Sequence, residues 1–281
     1  MNNIEQQSHW LFIRGLGRHK IHWGDFVDEF KKHLNNETKK PGTADNVSNA
    51  MKTLEPMIYQ LDLAGNGDQA HRPSFINMDD NVKDLRQRWQ KNWMSKNPNQ
   101  PLPKLNLLTI SLGSMVGVQW AHLYPEEINN LFTINTSDAG SSAFYQRLRL
   151  QNISQIIKLL KSNDPLTKEK LVLDTTTNLL NENEKTLWSQ IFAKHPVSNL
   201  ELLRQLFCAS RYKMPKQKPA TNIYIINCKK DRLVDAQCSL NISQMWNLKT
   251  HTHPTAGHDL PLDDKTWLCT KIYELLNDSQ L

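Results

Sequence analysis

No uninterrupted apolar run in the 281 residues approaches the about eighteen that a membrane-spanning helix needs, which excludes a helical membrane span. Cysteine is sparse. The four, at positions 208, 228, 238 and 269, show no Cys-x-x-Cys spacing, which argues against a zinc site and a disulfide framework and suits a reducing compartment. The opening MNNIEQQSHWLFIRG has no charged segment leading into an apolar one, so no secretory leader is expected and a cytoplasmic location is. Without export, Asn-x-Ser/Thr triplets such as NTS at 135–137 carry no meaning. The formal charge of +6 has no long basic block behind it, only pairs such as those at 39–40 and 229–230, with acidic residues interleaved. That is solvated surface rather than a phosphate-tracking stripe, and no nucleic-acid partner is expected. Neither glycine-bearing loop, RGLGR or AGNGD, has the Gly-x-x-x-x-Gly-Lys spacing of a phosphate cradle, and no cofactor or metal is implied.

What the sequence does hold is alternation. HWLFI (9–13) is a short strand ended by RGLGR, and Trp23, Phe26, Val27, Phe30 and Leu34 then recur at helical spacing over 23–34. MIYQLDL (57–63) is a strand ended by AGNGD, and 81–93 is helical again. LNLLTI (105–110) leads into a helix over 112–124 closed by Pro125, and INNLFTIN (128–135) is the next strand. Near the end come strand 221–228, a helix at about 235–246, strand 248–254 and a helix over 263–276. Strands alternating with helices predict an α/β fold, a mostly parallel sheet with helices on both faces, whose site lies at the carboxyl ends of the strands.

Residues 138–216 break that rhythm with helices alone. Ile153, Ile156, Ile157 and Leu160 form one stripe, whose usual use is packing against neighbouring helices. Asp164 with Pro165 opens a helix, and Ser198 with Glu201 has capping-box spacing. The expected organisation is a core of 1–137 and 217–281 with a mobile helical cap, 138–216, over the strand ends. Residues 35–55 read as a polar loop.

Ser111 is the one residue between the strand 105–110 and its helix. A serine at such a turn is held away from both elements and sits at the positive end of the helix. Crowding demands small residues two before and two after it; Gly113 satisfies the second and Thr109 the first only loosely. Thr-x-Ser-x-Gly is a relaxed form of the nucleophile elbow, although a serine beside a helix start is also an ordinary cap. A serine nucleophile needs a base and the base an orienting acid. Asp231 stands at the carboxyl end of strand 221–228 and His258 in the loop after strand 248–254, in the chain order Ser…Asp…His. His251 and His253 lie within a strand and are weaker candidates.

The stretches FIRGLGRHKIHW, LDLAGNGD, TISLGSMVGVQWAHLYPEEI, CKKDRLVD and AGHDLPLDD, in that order, resemble the α/β-hydrolase superfamily, in the style of bacterial esterase-like members with a helical cap. The resemblance spans the chain outside 138–216. It implies Ser111 as nucleophile, Asp231 as acid and His258 as base, with an oxyanion hole from the backbone N–H groups of Leu112 and Leu16. It also implies His-Gly where this chain has Arg14-Gly15; the donor there is a backbone group, so the exchange does not remove it. Ser114 stands where a second glycine is common; being inside the helix, it ranks below Ser111. Asp138, after strand 128–135, is an alternative acid, whereas Asp235 suits a helix cap and Asp62 and Asp68 a turn near the mouth.

A serine at the elbow sets aside relatives that use aspartate there. The expected activity is hydrolysis of a small-molecule carboxylic ester, or of a related thioester or amide, through an acyl-enzyme. Acyl transfer, carbon–carbon bond hydrolysis and a non-catalytic binding module are the alternatives. Phe144, Leu148 and Phe207 are the cap side chains expected to wall the acyl pocket.

Overall fold

A computed structural model describes residues 8–37 and 56–278. Its strands are β1 (His9–Ile13), β2 (Met57–Gln60), β3 (Leu105–Ile110), β4 (Ile128–Ile134), β5 (Asn222–Cys228) and β6 (Thr250–His253). All pair in parallel, in the order β2-β1-β3-β4-β5-β6. The chain passes from β1 outward to β2 and then crosses back to β3 on the other side. The connections that leave β1 and β3 therefore diverge, the arrangement at whose carboxyl ends sheets of this kind place their crevice.

Between the strands run α1 (Phe26–Glu37), α2 (Met78–Lys96) and α3 (Leu112–Leu123). Residues 138–216 form α4 (Phe144–Arg147), α5 (Ile153–Lys161), α6 (Pro165–Thr176), α7 (Glu182–Phe192) and α8 (Asn199–Arg211). Then follow α9 (Gln237–Trp246), α10 (Leu260–Asp263) and α11 (Lys265–Asp278). Side chains alternate across each strand, so each face of the sheet carries its own core. Leu11, Leu107, Leu131 and Ile225 pack with side chains of α2, α3 and α9 on one face. Trp10, Phe12, Leu108, Phe132 and Ile226 pack with α1 and α11 on the other. Burial on both faces explains why these strands read as continuous apolar runs.

Some boundaries differ from the sequence reading, each for a local reason. Trp23 belongs to a short 3-10 turn, Lys20–Trp23, rather than to α1, because Gly24 at φ +57° turns the chain before the helix begins. β2 stops at Gln60, and Asp62 beyond it is committed to the amides of Lys20 and Asp68. The expected polar loop loses 35–37 to α1, and 38–55 lie outside the described residues.

The 138–216 segment contains no strand and rests on the loops that follow β1, β2, β5 and β6. Gln205 of α8, 3% exposed, accepts from Gly17 N (2.8 Å) and donates to Asn66 Oδ1 (2.7 Å) and Ser74 Oγ (3.0 Å). Glu169 of α6 pairs with Arg18, and Arg232 donates to the carbonyls of Asp174 and Thr177. Asp259 N donates to Thr176 O (2.8 Å). Asp164 caps α6, accepting from Thr167 N at 2.9 Å. Ser198 caps α8, but the capping box is only half made, because Glu201 is taken up by Ser74 N and Arg204. The α5 stripe is divided: Ile156 and Leu160 are half-buried, whereas Ile153 and Ile157 are exposed. No helix among the described residues is long and apolar enough to cross a membrane.

Candidate active site

β3 ends at Ile110, and Ser111 has φ +56° and ψ −120°, a region that side chains other than glycine rarely enter. The neighbours over-determine this conformation. Ser111 N donates to Ile134 O (2.9 Å), and Ser111 O accepts from Ser114 N (3.0 Å) and Thr136 Oγ1 (3.2 Å). Strain held in place at a strand-to-helix turn is the local geometry of a nucleophile elbow. The small neighbours are obligatory. A Cβ on Gly113 would lie 2.5 Å from Ile13 O, and one on Gly15 would lie 2.9 Å from Ser111 Cβ. Thr109 fits two residues before the serine because Gly117 faces its methyl group, where a Cβ would sit 3.0 Å away, and because its hydroxyl donates to Phe132 O (2.7 Å). Ser111 is half-buried. Ser114, fully buried, accepts from Ile134 N (3.2 Å) and bonds Thr109 Oγ1 (3.1 Å), so its hydroxyl ties α3 to the sheet.

Asp231 and His258, both buried, meet at 2.6 Å between Oδ2 and Nδ1. Asp231 Oδ1 accepts from Leu233 N (2.8 Å) and Val234 N (3.0 Å), which fixes the carboxylate. With Nδ1 on the acid, Nε2 is the nitrogen left for proton transfer. Among the described residues the Ser111 hydroxyl makes no hydrogen bond.

Asp138 accepts from Met214 N (2.6 Å) and forms no bond to His258. Asp235 accepts from Gln237 N (2.9 Å) at the start of α9, a capping role. His253 Nδ1 accepts from Ala256 N (2.9 Å) and Nε2 faces Asp264, while His251 lies half-buried on edge strand β6. Asp62 and Asp68 do shape a turn, holding Lys20 by its amide and its ammonium, and burial pushes the Asp62 carboxyl up to about 6.

Leu112 opens α3, so its amide has no partner within the helix. Leu16 lies between Gly15, which abuts Ser111, and Gly17, whose amide is held by Gln205. The polar support of this loop comes from Arg14. Its two terminal nitrogens donate to Asp259 Oδ1 (3.0 Å) and Oδ2 (2.5 Å), both side chains being buried. Asn135, at φ +47°, is a second residue that sequence reasoning missed. Its amide donates to His258 O (2.8 Å), its side-chain oxygen accepts from Cys228 N (2.8 Å), and its N–H donates to Ile226 O (3.0 Å). The only available signal was an asparagine, a residue that tolerates the left-handed region, at the end of a strand.

The three side chains expected to wall the pocket stand in unlike settings. Phe144 is 66% exposed and Leu148 half-buried. Phe207 lines a groove of about 570 Å³ with Met78, Gln119 and Tyr212, a lining that includes none of Ser111, Asp231 and His258. On α8 it is Leu202 and Gln205, three residues apart, that face Gly17, and Phe207 projects from another side.

Arg18, His19 and His22, all buried, form a cluster with the half-buried Glu169 of α6. Burial, reinforced by His195 and Arg18, pushes His19 down to about 4, and burial holds His22 well below its usual range. Burial alone would raise Glu169, but Arg18 and His22 bring it down to about 2. A buried neutral histidine and a paired carboxylate both bind fewer protons folded than unfolded, so both terms lose stability as pH falls. The His19 contribution fades from 6.5 through about 4, and that of Glu169 from 4.5 through about 2. Urea midpoints should therefore drop on acidification below neutrality. His19→Gln should flatten the upper part of that decline and Glu169→Gln the lower part; unchanged slopes in both variants would remove the cluster from the account.

No described protein family matches this sequence, and neither does any curated protein. Solved structures do match. A thermophilic esterase from Thermogutta terrifontis aligns at TM-score 0.68 and 13% identity over 97% of this chain and 90% of its own. A hydrolase from Pseudomonas aeruginosa aligns at TM-score 0.66 and 14% identity over 96% and 90%. The thioesterase domain from the curacin biosynthetic pathway aligns at TM-score 0.63 and 12% identity over 96% and 92%. Identities this low speak to architecture alone, and on architecture these three agree over nearly their whole length: the chain has the α/β-hydrolase fold.

Proposed function

We propose that the chain is a serine hydrolase of small-molecule carboxylic esters, with Ser111 as nucleophile, His258 as base and Asp231 as orienting acid. The observation that carries this reading is the strained Ser111 turn at the carboxyl end of β3, together with a buried aspartate–histidine pair at 2.6 Å in the loops after β5 and β6. A binding module requires neither feature. The esterase and thioesterase among the matched structures add support for ester or thioester chemistry.

His258 Nε2 takes the Ser111 proton while Oγ bonds to the ester carbonyl carbon, and the carbonyl electron pair moves to oxygen. The Leu112 and Leu16 amides stabilise that oxyanion. Collapse breaks the bond to the alkoxide, which takes the proton from His258 and leaves the acyl-serine. Water, deprotonated by His258, repeats the addition on the acyl carbon and releases the acid, returning the proton to Ser111. Asp231 accepts from Nδ1–H throughout and stabilises the imidazolium. Residues 138–216 act as a cap that limits which acyl groups reach the serine. The four cysteines are free and buried, which fits a reducing, cytoplasmic site of action.

A panel of p-nitrophenyl esters from acetyl to octanoyl tests the reading. Release of p-nitrophenol should rise in proportion to enzyme concentration and exceed release in buffer for at least one chain length. Release no faster than in buffer for every chain length would defeat it.

A further inference from the structure

The structure assigns Arg14 and Asp259 a positioning role: we infer that their buried ion pair locks the oxyanion loop onto the loop that carries His258. This inference rests on the serine-hydrolase reading and adds a device to it. Arg14 immediately precedes Gly15 and Leu16 in the loop after β1, and Asp259 immediately follows His258 in the loop after β6. β1 and β6 are not neighbours in the sheet, since β3, β4 and β5 lie between them, so no strand pairing sets the spacing of the two loops. The pair supplies that link directly. Arg14 Nη1 and Nη2 donate to the two Asp259 oxygens at 3.0 and 2.5 Å, and the side chains are 4% and 3% exposed. The guanidinium also lies 5.0 Å from the centre of the Trp23 ring. A two-pronged guanidinium–carboxylate contact fixes orientation as well as distance, which a lysine cannot do.

The link closes a circuit with the cap. Asp259 N donates to Thr176 O at the end of α6 (2.8 Å), and α6 also carries Glu169, which pairs with Arg18 in the same loop as Arg14. Oxyanion loop, histidine loop and cap helix therefore hold one another through buried contacts. Displacement of any one of them is resisted by the other two.

The test compares Arg14→Lys and the double variant Arg14→Met/Asp259→Leu with the wild type. The double variant leaves no unpaired buried charge and so is expected to fold, which circular dichroism checks. Two readouts are used: ester turnover, and the low-field proton signal of the His258–Asp231 hydrogen bond, which needs no substrate. The double variant should lose about 10²-fold in kcat with KM shifted by less than about threefold, as expected for misplaced catalytic groups. Its low-field proton should broaden or disappear. Arg14→Lys, which keeps the charge but not the fork, should fall between. A folded double variant with wild-type kcat and an unchanged proton signal overturns the assignment. If the wild type hydrolyses no ester and the proton signal still depends on Arg14, the ester reading fails and the positioning role stands.

Discussion

Ser111→Ala should leave a folded protein that turns over p-nitrophenyl esters at least about 10⁴-fold more slowly than the wild type. The hydroxyl makes no hydrogen bond among the described residues, so its removal strands no buried partner. The backbone at φ +56° is as awkward for alanine as for serine, and the fold should be little affected. Ser111→Gly relieves that strain and should be the more stable of the two variants by about 1 kcal/mol while remaining inactive. Ser114→Ala is the control. Its buried hydroxyl bonds Thr109 and Ile134, so that variant should lose about 1 kcal/mol of stability yet keep its rate per folded molecule. Activity that survives at position 111 and vanishes at 114 would move the nucleophile into the helix.

Asp231→Asn should cost nearly as much, about 10⁴-fold in kcat, because an amide at 2.6 Å from Nδ1 favours the wrong imidazole tautomer. The amide oxygen can still accept from Leu233 N and Val234 N, so the loop should keep its shape. Asp138→Asn keeps the acceptor for Met214 N and should leave kcat within about threefold, since Asp138 makes no hydrogen bond to His258. Equal losses at the two positions, measured at matched fold by circular dichroism, would mean that the acid comes from the loop after β4.

The order of strands and helices was legible because the four inner strands, β1, β3, β4 and β5, are largely buried on both faces and read as apolar runs. Ser111 and Asp231 stood out through their places at strand ends, and His258 through its loop. What stayed hidden were contacts between segments far apart in sequence. The Arg14 to Asp259 pair spans 245 positions and is invisible to any local pattern. Arg14 stands where the resemblance implies histidine, and its partner Asp259 lies in the loop after β6. Asn135 was read as the tail of a strand because its role lies in a left-handed turn and in bonds to two other loops. Phe144, Leu148 and Phe207 are marked in the sequence by apolarity alone. Apolarity does not say which side of α8 faces the sheet, and Leu202 and Gln205, not Phe207, meet the loop after β1.

The most direct test of Ser111 as an activated nucleophile is a fluorophosphonate reaction followed by peptide mapping. The native protein should gain the mass of one phosphonyl group, placed on Ser111 itself by fragmentation of the peptide that holds it, and heat-unfolded protein and Asp231→Asn should react far more slowly. Phosphonylation at Ser114 or another serine, or a native protein no more reactive than the unfolded chain, would contradict the assignment.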